Sequence, residues 1–285
     1  MSYVPRLVLA DAAASAPSAP SPDAPGVHTW RNKHGGVVAT GQTVDRVHWM
    51  HWPFLAAYRF APDDPAITAF AVPNAPLHTL EDTYRRSVVP MALQALGFEA
   101  LHASAVLLPA GVVGFFAASE TGKSTLAYGL SERGFPQWGD DSLLFDPTLP
   151  PVTSRRLPFD VRLRPESRSF FDSTDDGGDF VVRLPDTAPV RALFLLTRDD
   201  RATLSVRQLD PVGAFSGLVA HAHCFNPHDE ARRTAMLSYY MRVIGVVPVY
   251  EVIFPPVLSE LGAVLDAVLA AVAPEVGDPI PSQRA

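Results

Sequence analysis

The sequence predicts an α/β fold in which a phosphate-binding loop joins a buried strand to a helix, with a small β-rich region ahead of it. Three observations predict this. The apolar run at residues 112–116 leads into Ala117-Ala118-Ser119-Glu120-Thr121-Gly122-Lys123-Ser124-Thr125, after which Leu126, Ala127 and Leu130 keep helical spacing up to Gly134. Farther on, strand-like runs at 190–197, 204–206 and 247–254 are interspersed with helical patterns at 211–222, 231–244 and 257–272. Residues 27–73 hold short strand-like pieces, such as 36–40 and 66–72, among Trp49, Trp52, Phe54, Tyr58 and Phe60.

In chain order, residues 12–25 are almost wholly Ala, Ser, Pro and Asp, which cannot bury enough apolar area to offset ordering entropy, so a mobile surface linker is expected there. The aromatic residues that follow read as the core of a small layer rather than as a ligand platform, because aromatics carry most of such a layer's buried area. Residues 80–97 have a helical apolar period that Pro90 should kink or split. Then 101–108 reads as a strand, 109–111 as a tight turn and 112–116 as its hairpin partner, with His102 at the strand's start. Past the loop and its helix, Asp140 and Asp141 stand between a short strand and an apolar one. An arginine-rich, partly strand-like flap is expected at 155–168 and a mobile loop at 172–179. The expected division is a β-rich region at 1–76, a catalytic domain at 77–276 and a flexible tail at 277–285.

Composition narrows the function classes. Of 285 residues, 47% are hydrophobic and 19% charged, enough apolar material for a sizeable core. A net charge of −7 with no dense Lys/Arg run argues against a nucleic-acid surface. The single cysteine, Cys224, permits no internal disulfide and fits a reducing cytoplasm. No apolar run reaches the roughly 18 to 20 residues that span a bilayer. The apolar stretch at 7–10 is too short for a secretory signal, so a cytoplasmic protein is expected.

The loop follows the pattern G-x-x-x-x-G-K-[ST] except that Ala117 stands at the first position. Alanine is tolerated there if its φ is negative, whereas Gly122 is hard to replace where backbone approaches phosphate or turns sharply. Such a loop points several N–H groups at one spot beside a helix N-terminus, which suits a triphosphate. Ser119, Glu120, Thr121, Gly122, Lys123, Ser124 and Thr125 are therefore the candidate nucleotide-binding residues. Lys123 would reach the terminal phosphates and Ser124 would hold magnesium. Two carboxylates some fifteen residues later divide the remaining labour, Asp141 holding the metal with Ser124 and Asp140 accepting the proton of an attacking hydroxyl.

The run Leu101-His102-Ala103-Ser104-Ala105-Val106, with Gly114, the loop to Thr125, and Gly139-Asp140-Asp141, resembles the catalytic core of the HPr kinase/phosphorylase family of bacterial protein-serine kinases, whose core is similar to phosphoenolpyruvate carboxykinase. The likeness covers about forty-five residues well. It implies a P-loop core of that type, use of ATP and magnesium, and a divergent branch that phosphorylates a serine of a peptide or small protein. It further implies catalytic roles for His102, Lys123 and Asp140. Ala117 departs from the family's glycine. A glutamate usual after the acidic pair is missing, Asp146 being the nearest acid, and no later loop for gripping HPr is found.

Arg162, within Phe159-Asp160-Val161-Arg162-Leu163-Arg164, is a candidate for neutralising charge on the transferred phosphoryl or for contacting substrate, with a solvated strand face as the alternative. Arg233 and Arg242 are nine apart on one expected helix and so face opposite ways. His221, His223, Cys224 and His228 match no common zinc spacing and read as a helix end followed by a polar loop.

The function expected from these residues is ATP-dependent transfer of the γ-phosphoryl group to a hydroxyl, foremost a serine of a peptide or small protein such as a natural-product precursor. No nucleic-acid or membrane partner is expected, and a homo-oligomer is. A small-molecule hydroxyl kinase and a regulatory or assembly ATPase without transfer are the alternatives.

Overall fold

The computed structural model describes residues 4–11, 14, 16–32, 34–159, 171 and 184–273. It is a mixed α/β structure that divides into two compact units, Met1–Ala100 with His223–Leu237, and Leu101–Ala222 with Ser238–Ala285.

The first unit contains strands β1 (Arg6–Leu9), β2 (His28–Arg31), β3 (Val37–Val44), β4 (Val47–Trp52), β5 (Ala56–Phe60) and β6 (Ala66–Ala71) in the order β1-β6-β5-β4-β3-β2. Strands β2 to β6 form an antiparallel meander, and β1 joins β6 in parallel. Asp45 and Arg46, at φ 48° and 65°, make the two-residue turn between β3 and β4, where two successive positive φ values match the twist of the flanking strands. Tyr58 and Phe60 are buried, as the core reading of the aromatics expects, and Trp49 and Trp52 are half-buried. Phe54 departs from it: at φ 64° on the turn after β4, it is 95% exposed.

Helices α1 (Leu77–Thr83) and α2 (Val89–Ala95) are joined by a π-helical turn at Tyr84–Val88. Pro90 has no N–H to donate back along the helix, and the wider turn just ahead of it is the expected split. This helical segment belongs with the first unit, so the units divide at Leu101 rather than at residue 77. The reason is packing. Leu80, Tyr84 and Val88 are buried, Tyr58 Oη donates to the Leu80 carbonyl at 2.9 Å, and Tyr84 Oη donates to the Pro5 carbonyl. Residues 223–237 join the same unit through Phe225, whose ring lies 5.1 Å from His48 and 5.3 Å from Phe60, and through the ion pair of Arg232 with buried Glu99 at 2.6 Å.

Strand β7 (Glu99–Leu101) carries the chain into the second unit. There β8 (Ala103–Leu108), β9 (Gly111–Phe116), β10 (Gln137–Gly139), β11 (Leu143–Asp146), β12 (Thr153–Arg155), β13 (Thr187–Arg198), β14 (Ser205–Gln208) and β15 (Val249–Phe254) share one sheet. Its centre is parallel, β9 to β13 to β15, with β8 antiparallel beside β9 and β10 antiparallel beside β8. Helices α3 (Lys123–Glu132) and α6 (Leu261–Val272) bury Leu126, Leu130, Leu265 and Val268 against Val113, Phe115 and Phe194. Helix α4 (Pro211–His221) is capped by the Asp210 carboxylate, which accepts from the Gly213 N–H at 2.7 Å, and α5 (Glu230–Val246) begins in the first unit and ends in the second. At Gly114 an added Cβ would meet the terminal methyls of Leu143 at 2.8 Å and Leu193 at 2.9 Å, so the glycine lets both leucines close over the centre of β9 without shifting.

Candidate functional site

The site grows out of sheet register. Ser104 of β8 pairs with Phe115 of β9, so the start of β8 lies beside the end of β9. Gly139 at the end of β10 pairs with Ala105 of β8, which delivers the next residue, Asp140, to the same edge. Residues 117–122 join β9 to α3 there.

Within the loop, Ala117 is buried and is not among the residues with positive φ, so the alanine fits without strain. The turns fall instead on Glu120, at φ 71°, and Gly122, at φ 109°. Thr121 Oγ1 donates to the Ala118 carbonyl at 2.9 Å. Lys123 is buried and its Nζ donates to the carbonyls of Ala117 and Ala118, each at 3.1 Å, so the ammonium is held against the loop it follows. Ser119 and Glu120 are exposed, Thr121 is half-buried, and Thr125, in the first turn of α3, is buried at 9% exposure.

Ser124, also in the first turn of α3, donates from Oγ to Oδ1 of Asp140 at 2.8 Å. Ser104, fully buried, donates to the same oxygen at 2.6 Å, and the two serine hydroxyls are 3.4 Å apart. The sequence reading paired Ser124 with Asp141; the side chain that meets Ser124 is Asp140. Asp141 sits at φ 60°, and its backbone carbonyl accepts from His102 Nδ1 at 3.1 Å and from Ser142 Oγ at 2.8 Å.

That contact sets the His102 tautomer, because Nδ1 must carry the proton it donates and Nε2 is left as the acceptor nitrogen. Burial, and then the positive charge of Lys123, press the His102 pKa below its ordinary value against the opposing pull of the Asp141 carbonyl and Asp140. His221 stands next to it in the chain of contacts: its carbonyl accepts from the His102 N–H at 2.9 Å, its ring meets Phe116 edge-on at 5.7 Å, and burial followed by His102 and Lys123 lowers its pKa as well.

Ser104 and Arg198 have no role in the sequence reading. An added Cβ on Gly122 would lie 3.3 Å from Nη2 of Arg198, which places that guanidinium against the last loop residue. A serine inside an apolar strand gives no signal until the register of β10 is known. Asp146, the acid nearest the missing glutamate, is buried and bonded to Arg155 Nε and Thr148 Oγ1, each at 2.6 Å. Burial alone would raise its pKa, but these bonds outweigh it and hold the carboxyl below the usual range. Arg162 lies outside the described residues. Arg233 donates to the Pro227 carbonyl, and Arg242 donates to the Pro147 carbonyl while lying 4.8 Å over the Tyr239 ring. Among the described residues no group of three or more His, Cys, Asp or Glu side chains gathers to hold a metal, and no helix is long and apolar enough to cross a membrane.

No protein-family profile matches the chain, and no curated protein does. Among solved structures it is similar to the Hpr(Ser) kinase/phosphatase from Coxiella burnetii, at 13% identity and a TM-score of 0.35, over 60% of this chain and 89% of that one.

Proposed function

We propose that this chain is an ATP- and magnesium-dependent kinase of HPr-kinase-like P-loop type, which transfers the γ-phosphoryl group to a serine hydroxyl of a peptide or small protein. The observation that carries the reading is the 2.8 Å contact between Ser124 and Asp140, at the end of a strand-loop-helix unit whose lysine lies on the loop. A hydroxyl and a carboxylate oxygen side by side are the hard donors magnesium prefers, and they fit it. Bound there, the ion would neutralise charge on the β- and γ-phosphates.

The metal-associated role is therefore assigned to Asp140 with Ser124. Ser104 donates to the same Asp140 oxygen that Ser124 meets and helps to fix it. The N–H groups of residues 119–125 and the Lys123 ammonium would bind the phosphates. In the transfer, the acceptor oxygen forms a bond to the γ-phosphorus, and the bond from that phosphorus to the β–γ bridging oxygen breaks, its electron pair leaving with ADP. The acceptor's proton passes to Nε2 of His102, the neutral tautomer that its bond to the Asp141 carbonyl favours.

Incubation with γ-labelled ATP, magnesium and serine-bearing peptides, followed by mass analysis, tests the reading. A peptide heavier by one phosphate on serine supports it, whereas ATP hydrolysis with no phosphorylated peptide or small molecule would point to an ATPase.

A further inference from the structure

His102, the proposed proton acceptor, has a second imidazole beside it. Leu101 and Ala222 form an isolated antiparallel bridge, flanked by the bond from the His223 N–H to the Ala100 carbonyl at 2.8 Å and by the bond from the His102 N–H to the His221 carbonyl at 2.9 Å. His102 and His221 are therefore directly opposite one another. Residues so placed on an antiparallel pair carry their Cβ atoms roughly 5 Å apart on one face.

The His221 ring is placed from another side as well. His221 is the last residue of α4, and Gly217, one turn earlier on the same helix face, sits over Phe116, where an added Cβ would lie 3.5 Å from the ring. The His221 ring meets the same Phe116 edge-on, at 5.7 Å between centroids. Phe116 pairs with Ala103, the residue after His102, so β8, β9 and α4 together bring the two imidazoles to one edge of the sheet. Their surroundings differ. His102 is the more deeply buried, and its Nδ1 proton is held by the Asp141 carbonyl, which leaves Nε2 as its open nitrogen. His221 is nearer solvent and ends an 11-residue helix, where the negative end of the dipole favours a cation. The Lys123 ammonium presses on both rings, while the Asp141 carbonyl and the Asp140 carboxylate draw His102 the other way. Two imidazolium ions beside an ammonium are unfavourable, so the pair carries one proton at a time.

We propose that His221 is the outlet for the proton that His102 takes from the acceptor hydroxyl. The proposal rests on the phosphoryl-transfer reading and gives His221 a part that it plays through His102, without touching substrate. In the step, the N–H bond at Nε2 of the His102 imidazolium breaks and its electron pair stays on that nitrogen. The proton bonds to the free ring nitrogen of His221, directly or across one water. His221 then gives it to bulk water, because burial, followed by the charges of His102 and Lys123, holds its pKa below the ordinary value. Both rings are neutral again for the next turnover.

His221→Gln in the full chain removes the titrating ring and keeps the backbone carbonyl that holds His102. With γ-labelled ATP, magnesium and a serine peptide in weak neutral buffer, kcat should fall about tenfold while KM for ATP and for peptide stays within about twofold. Added imidazole, a soluble proton carrier, should restore most of the loss in the variant and leave wild type unchanged. An unchanged kcat, or a loss that imidazole does not restore, would overturn the outlet. NMR titration of the histidine rings separates this from failure of the kinase reading. In wild type the His102 signals should shift as His221 takes up its proton, and in His221→Gln that shift should vanish. If wild type transfers no phosphate yet the two rings titrate together, the kinase reading falls and the two-histidine pair alone is supported. Independent titration of the rings overturns the pair whether or not phosphate is transferred.

Discussion

The Ser124 hydroxyl and the Asp140 carboxylate meet at 2.8 Å although one opens a helix and the other follows a short strand sixteen residues on. Neither local sequence nor propensity brings them together. The register of β10 on β8 and of β8 on β9 does, because each strand ends or begins at the same edge. The candidate site is thus a property of the sheet, and its parts are sensitive to changes that leave the loop itself untouched.

Ser104 gives the clearest case. Its hydroxyl donates to Oδ1 of Asp140 at 2.6 Å from a fully buried position, and it touches no proposed substrate atom. Ser104→Ala should lower kcat by about tenfold while changing KM for ATP little, since one lost hydrogen bond of roughly 1–2 kcal/mol loosens the carboxylate rather than the phosphate loop. Steady-state kinetics check this, and an equal loss in ATP affinity would mean that Ser104 supports the loop instead.

The histidines set the pH behaviour. Burial lowers the pKa of His28, His48, His51, His102 and His221, so in each case the unfolded chain binds a proton that the folded chain refuses. Their stabilising contribution is full above the unfolded value of about 6.5 and is lost as pH falls below it. Glu99 acts in the other direction: burial raises it to about 7 against the hydrogen bond and charge of Arg232, so its contribution is full below its ordinary range and fades as pH rises through 7. Five groups against one should bring the melting temperature down between pH 7 and pH 5. Phosphoryl transfer should show an acid limb below pH 6.5, as His102 is protonated. Thermal melts and a pH–rate profile read both, and transfer with no acid limb down to the pH at which the fold is lost would remove His102 as proton acceptor.

Arg232→Ala should be severe. The guanidinium pairs with Glu99 at 2.6 Å, and it also donates to the carbonyls of Gln94 at 2.7 Å and of Phe98. Its removal leaves a carboxylate that is 1% exposed without its cation, at a cost of about 3 kcal/mol. The loss should be smaller at pH 5.5 than at pH 8, because Glu99 can then shed its charge by protonation. Urea unfolding at the two pH values measures the difference.

What the sequence made legible was what neighbours along the chain decide. Apolar runs and helical spacing located β9, the loop and α3, and Pro90 marked a break that takes the form of a π turn. Gly122 announced a turn that only a positive φ satisfies. What depended on distant partners stayed hidden. Asp140 and Asp141 are indistinguishable as neighbours, and only the strand register decides which carboxylate faces Ser124. Arg198, one residue past the strand-like run at 190–197, gives no signal of its own until β13 is seen beside β9. Helices α1 and α2 read as part of the catalytic region because the bond from Tyr58 to the Leu80 carbonyl spans 22 residues and leaves no local trace.

The most direct test is phosphoryl transfer by Asp140→Asn. The amide oxygen still accepts from both serine hydroxyls, so the fold and the melting temperature should hold, while the charge that would pair with magnesium is gone. With γ-labelled ATP and a serine peptide that wild type phosphorylates, the account predicts a rate lower by roughly a hundredfold or more. A variant that transfers phosphate at the wild-type rate would contradict it.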